Sequence, residues 1–154
     1  MNAGKLGISY NIELKRVDHY TDEVIDVTYI KNKIVSNGLE RIARRLIADS
    51  PTYMKAVALG TGTTPVTIDD TVLETEVARE LAVLTYEGSN VIKFYKRFEF
   101  TSGESYAISE IGIFDSVIAS GSVMFNHALI SPAKDVEQGI DLVTTITFTM
   151  SETV

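Results

Sequence analysis

Gly60-Thr61-Gly62 lies between an apolar run and a second patterned segment, where a phosphate-binding loop would sit. Such a loop needs Gly-x-x-x-x-Gly-Lys-Ser/Thr, the lysine meeting phosphate and the hydroxyl meeting magnesium. No lysine follows, and no third glycine opens a helix as a dinucleotide-binding turn requires. The spacing therefore predicts a tight loop in which glycine supplies positive φ. Downstream, Asp69, Asp70, Glu74, Glu76 and Glu80 are oxygen donors of the kind calcium or magnesium takes, but the Asp-x-Asn-x-Asn-Gly spacing is missing. They read instead as the acidic first turn of a helix, where the N-terminal partial charge favours them.

The two histidines, His19 and His127, share no HExxH or His-x-x-x-His pattern. His127 falls on an inward stripe with Phe125 and Leu129, which predicts a packed, hydrogen-bonded core histidine; His19 falls in a turn. No Gly-x-Ser-x-Gly elbow supports a serine nucleophile. The chain has no cysteine, which removes disulfides, thiolate metal sites and a thiol nucleophile. No catalytic, cofactor-binding or metal-binding residue is expected. Arg41, Arg44 and Arg45, together with Tyr10 and Tyr29, are the candidate interaction residues, since arginine and tyrosine are enriched where proteins touch.

Length and charge narrow the classes further. At 154 residues the chain suits a single domain, 1–154, with a core of its own. The start, Met1-Asn2-Ala3-Gly4-Lys5, has no apolar secretory segment, and no apolar run approaches the length of a membrane span. A soluble product of the host cytoplasm is the expectation. The net charge of −7 is uneven: residues 1–50 carry eight Lys/Arg against seven Asp/Glu, residues 51–154 six against fourteen. Such acidity repels phosphate backbones, so neither nucleic acid nor membrane is expected as a partner.

The elements that must position these residues are mostly strands. Ile8, Tyr10, Ile12 and Leu14 alternate with polar neighbours, and 24–30 returns as a β-branched strand, giving an N-terminal hairpin over residues 8–30. Leu39, Ile42, Ala43, Leu46 and Ile47 then follow a helical stripe, with Asn37 and Glu40 as a capping box. Residues 54–59 read as a buried strand. Thr71 to Glu74 spells another capping box, and Leu73, Val77 and Leu81 predict a second short helix that gives way to a strand near Arg79. Four further strands follow: one around Ile92, Phe94, Phe98 and Phe100, one over 106–114, one around Val123 to Leu129, and one over 140–150 with Asp141 facing outward. The fold expected is mainly β: an antiparallel β-sandwich or barrel-like domain with two short inserted helices.

In order, Ala58 to Pro65, Asp70 to Arg79, Ile108 to Asp115, Ser120 to Ser131 and the Thr-rich 140–149 resemble blocks of small structural proteins of tailed bacteriophages, tail-fibre-like or virion proteins. Ile34 to Leu39 is similar to that family's lead-in to its first helix. The likeness spans residues 34–150, a β-rich body. The N-terminal hairpin lies outside it and is expected to carry an attachment particular to this chain.

The resemblance implies a particle-building role with no catalytic residues to carry over. It implies a virion location in the tail or fibre attachment region. The partners implied are other copies of the chain, as a homo-oligomer with a trimer as the working guess, and a larger phage tail or capsid protein. A capsid decoration (cement) protein on the head surface and a glycan-binding β-sandwich module are the alternatives. A hydrolase with scattered catalytic residues is the remaining one.

Overall fold

The computed structural model describes residues 4–31, 33–49 and 52–153. In chain order they form β1 (Lys5–Asp18), β2 (Val24–Ile30), β3 (Lys33–Ile34), α1 (Ser36–Leu46), β4 (Ala56–Gly60), β5 (Glu76–Leu81), β6 (Val83–Gly88), β7 (Val91–Phe98), β8 (Ser105–Phe114), β9 (Met124–Glu137) and β10 (Ile140–Thr153). All pairings are antiparallel. The hydrogen-bonded path runs β2-β1-β10-β9-β8-β4-β5, with β7 also on β10, β6 on β7 and β3 on β9. This is one open sheet; it does not close into the barrel offered as an expectation.

β10 holds two neighbours at once. It pairs with β1 from Lys5–Thr153 to Asp18–Ile140, and on its other edge with β7 from Leu142–Phe98 to Thr149–Val91. Its link to β9 is a single pair, Ile140 with Glu137. The period-2 pattern explains which face it buries: Leu142, Thr144, Ile146 and Phe148 are all at most 1 % exposed. Leu142, Ile146 and Phe148 join one core with Ile12, Leu14, Phe94, Phe98, Ile108, Ile111, Ile113 and Phe125. β4 is buried at every position, because Ala56 and Ala58 on its other face pack with Val35, Leu73, Phe114 and Met124. A strand covered on both faces reads as an unbroken apolar run, as 56–59 does.

Three expectations are corrected here. Residues 71–81 form no helix: 71–75 are loop, and β5 lies in register with β4, Ala58 opposite Arg79. The apparent capping glutamate, Glu74, accepts from the Thr63 and Thr64 N–H groups across the loop rather than from a helix of its own. One helix is therefore found among the described residues where two were expected.

α1 starts one residue before Asn37, with Val35 at the cap position and no side-chain cap; the Ser36 N–H donates to the Ile68 carbonyl. Asp141, expected outward, is 1 % exposed, because Arg97 and His19 close over it.

α1 is held to the sheet through Gly38, the one buried residue of the helix. A Cβ added there would lie 2.1 Å from the Phe125 carbonyl oxygen. Alanine normally stabilises a helix over glycine by about 1 kcal/mol. Gly38→Ala is nevertheless expected to lower the melting temperature, since the helix must lift off β9 to make room; a thermal melt rising above wild type would contradict this seat.

Candidate functional site

Glu110 is a charged residue inside the apolar run of β8, and it is fully buried. β8 aims it at the loop before β5. Its Oε1 accepts from the N–H groups of Gly62 (3.0 Å) and Thr75 (2.8 Å), and its Oε2 from the Glu74 N–H (3.0 Å). The His127 Nε2 lies 2.9 Å from the same Oε2, brought there by the β8–β9 pair Gly112–His127. On the far side of the ring, His127 Nδ1 is 2.7 Å from Asp70 Oδ2. Each ring nitrogen thus faces a carboxylate oxygen.

Asp70 is itself held below the usual carboxylate range. Burial opposes its charge, but hydrogen bonds from the Thr67 hydroxyl and backbone and from His127 outweigh that. Glu74 is lowered too, chiefly by the Thr64 N–H.

A carboxylate–histidine–carboxylate row is able to pass a proton, so its surroundings decide its role. Ser109, next to Glu110 in β8, donates its hydroxyl to the Gly62 carbonyl (2.7 Å). Neither His127 nor Glu110 lines the clefts that open along α1 or beside Tyr53 and Lys55. What Glu110 does is tie residues 62, 74 and 75 to the sheet. Gly62 is needed there for space and not for positive φ, which the expectation had assigned to it: a Cβ would sit 2.5 Å from the Glu74 Cβ.

The other carboxylates of the acidic run do not gather around one point. Glu76 pairs with Arg79 (2.6 Å), and Glu80 pairs with Lys96. Arg79 in turn donates to Ser122 Oγ (2.7 Å) and lies 3.7 Å over the Phe114 ring.

A second polar group forms where the β1–β2 turn meets β10. Arg97 donates to Asp141 (2.6 Å) and Asp22 (2.7 Å), and His19 Nδ1 lies 3.0 Å from Asp141. His19, Glu99 and Asp141 offer ligand atoms within 4.8 Å of one another. The Arg97 guanidinium donates to Asp141 Oδ2 and so sets a positive charge beside the group, which disfavours a cation there.

The hydrogen bond to Asp141, helped by its charge, raises the His19 pKa above 6.5. A raised folded-state pKa gives stability that is full below the unfolded value and fades as pH rises through the folded one. Wild type is therefore expected to outlast His19→Gln in thermal melts at pH 5.5, with the gap closing by pH 8.5. A pH-independent gap would contradict this ion pair.

The candidate interaction residues divide. Arg41 is drawn inward, donating to Asp115 (3.0 Å) and to the Thr52 hydroxyl. Arg44 pairs along the surface with Glu40 and Asp49. Tyr10 packs on Phe148, whereas Tyr29 is exposed and donates to Glu13.

In the apolar stripe read from the sequence, Leu39, Leu46 and Ile47 are 46 %, 80 % and 75 % exposed. Beside them opens an apolar cleft of about 500 Å³, whose walls include Ile42, Leu46, Tyr53, Leu84, Tyr86 and Ile92 and whose rim includes Arg45 and Lys93. The stripe was legible in the sequence; its exposure was not.

Among the described residues no helix is long and apolar enough to cross a membrane. Comparison with protein-family models, with curated proteins and with solved structures gives no match to the chain.

Proposed function

We propose that the protein is a non-catalytic structural subunit of a tailed-phage virion, assembling in the tail or fibre attachment region. One observation carries this reading: the polar residues are turned inward while an apolar face is turned outward. Glu110, Glu74, Arg79 and Gly62, all inside the blocks that resemble phage structural proteins, are used up in holding loop to sheet. The groups left to meet another molecule include exposed apolar side chains of α1 and β6, with Val83 62 % and Tyr86 66 % exposed. An apolar face of this kind marks a contact between proteins.

Soluble acidic subunits that fold first and then bury such a face against neighbours would build a particle by contact alone. β2, β5 and β6 end the sheet with unpaired edges that neighbours can cover. The sandwich architecture is the finer fold reading, with the wing β6-β7-β10-β1-β2 packed over the wing β9-β8-β4-β5; the shared core from Phe98 and Phe148 to Ile111 and Ile113 supports it.

Cryo-electron microscopy of the particle tests the proposal. Density for this chain at the tail or fibre base is the expected result; density on the head would favour the cement-protein alternative, and absence from purified particles would overturn the reading.

A further inference from the structure

We propose that His127 is a proton-operated latch: its doubly protonated ring clasps Glu110 and Asp70 together, and loss of one proton frees Asp70 and the loop around it. The inference goes beyond the assembly reading above and does not depend on it.

His127 is 4 % exposed, and its ring stands between two carboxylates from different elements. Nε2 is 2.9 Å from Glu110 Oε2 on β8, and Nδ1 is 2.7 Å from Asp70 Oδ2 on the loop before β5. Both oxygens already act as acceptors: Glu110 Oε2 takes the Glu74 N–H, and Asp70 Oδ2 takes the Thr67 N–H. A carboxylate ion has no proton to give, so each contact needs an N–H from the ring. An imidazolium has two such groups and a neutral imidazole one. The nitrogen that gives up its proton then sets a lone pair against a carboxylate oxygen, and the two repel.

Burial decides which contact fails. Glu110 is fully buried, so losing the ring there carries the full cost of an unmet buried acceptor. The Asp70 side chain is 22 % exposed and keeps the Thr67 N–H and hydroxyl as partners. The neutral ring therefore keeps Nε2–H for Glu110, and Asp70 turns to water. Three other charged groups stand near. Glu74 is spent on the Thr63 and Thr64 N–H groups, Asp69 is exposed beside Asp70, and Lys33, the cross-strand neighbour of His127 on β3, is exposed as well. Asp70 and Glu74 are both held below the usual carboxylate range, so they stay anionic while a histidine titrates.

The release is local. Among the described residues, 66–70 bond to other segments through the Asp70–His127 contact and through the Ile68 carbonyl, which accepts the Ser36 N–H at the start of α1. With the first gone, the second alone remains, and the loosening reaches the end of the helix. Gly62, Glu74 and Thr75 stay moored to Glu110 in both states. One part of the loop opens while the other holds.

NMR of the full chain from about pH 5 to about pH 9 reads the ring nitrogens and amide exchange together. His127 should carry protons on both nitrogens at the acid end and on Nε2 alone at the alkaline end. Protection of the Ser36 N–H, corrected for the intrinsic rise of exchange with pH, should fall about tenfold or more along the same curve, as loss of one charged hydrogen bond allows. Protection at Gly62 and Thr75 should stay level. In Asp70→Asn the Ser36 protection should no longer follow pH, because a side-chain amide can donate to the neutral ring. His19 gives its own ring signals, so the two titrations are read apart.

A His127 ring that keeps one protonation state across the range would overturn the latch. So would a neutral form protonated on Nδ1, protection lost at Gly62 together with Ser36, or an Asp70→Asn variant that responds as wild type does. Should Asp70→Asn fail to fold, His127→Gln takes its place. With no ring to titrate, its Ser36 protection must be level with pH, and a fall like that of wild type would count equally against the proposal.

Discussion

Glu110→Ala is expected to cost the domain about 3–5 kcal/mol, the range for removing one partner from a buried ionic group. The physical reason lies in what stays behind. The N–H groups of Gly62, Glu74 and Thr75 lose their acceptor, and His127 keeps Asp70 on one side and nothing on the other. Each unmet buried donor alone is worth about 1–3 kcal/mol.

For a chain of this length the midpoint should fall by roughly 10–15 °C. Glu110→Gln keeps the volume and one accepting oxygen, so it should fall by less. Calorimetry of the two variants checks both the size and the order. A Glu110→Ala midpoint within two or three degrees of wild type, on the scale of about 2–4 °C per kcal/mol, would mean that this carboxylate does not hold the loop. The same substitution should speed proteolysis within 61–75, since that segment is moored mainly through Glu110.

The second large effect is expected at Phe148. Its ring contacts Phe125 at 5.2 Å, Phe94 at 5.9 Å and Tyr10 at 6.1 Å between centroids, so one side chain joins β1, β7, β9 and β10. It is 1 % exposed. Phe148→Ala removes both the transfer energy of the ring and the packing around the void it leaves, typically 3–5 kcal/mol in all. Phe148→Leu should recover a good part of that by filling most of the space. Tyr29→Ala, at 63 % exposed, should change stability by no more than about 0.5 kcal/mol. Urea titration of the three variants tests the ranking; equal midpoints for Phe148→Ala and Tyr29→Ala would refute the placement of the core.

The strands were legible where period-2 alternation met one buried face. Ile12 and Leu14 in β1, and Ile146 and Phe148 in β10, could be placed from their spacing alone, and all four are buried. Residues 71–81 misled for a definite reason. Leu73, Val77 and Leu81 are spaced for a helix, yet Leu73 anchors a loop and Val77 lies in a strand whose register β4 dictates. Tertiary pairing overrode local spacing.

Glu110 was hidden in a different way. A sequence shows a carboxylate amid isoleucines but not the three backbone N–H groups, 35 to 48 positions away, that it serves. The one signal available was that charge in a run otherwise fit for the core. His127 was placeable as a buried, bonded histidine; its two acidic partners were not. The exposure of Leu46 and Ile47 was equally invisible, because a stripe says that a face seeks cover and not where the cover comes from.

The pairing of β1 with β10 has a consequence for how the chain is made. Residue 5 faces residue 153, so β1 finds its main partner only when β10 has been translated. Until then Ile12 and Leu14 have β2 alone beside them, and the middle of the sheet is vacant. Contacts this distant along the chain make folding slow. β1 must therefore wait, and β10, once translated, closes the gap between it and β7.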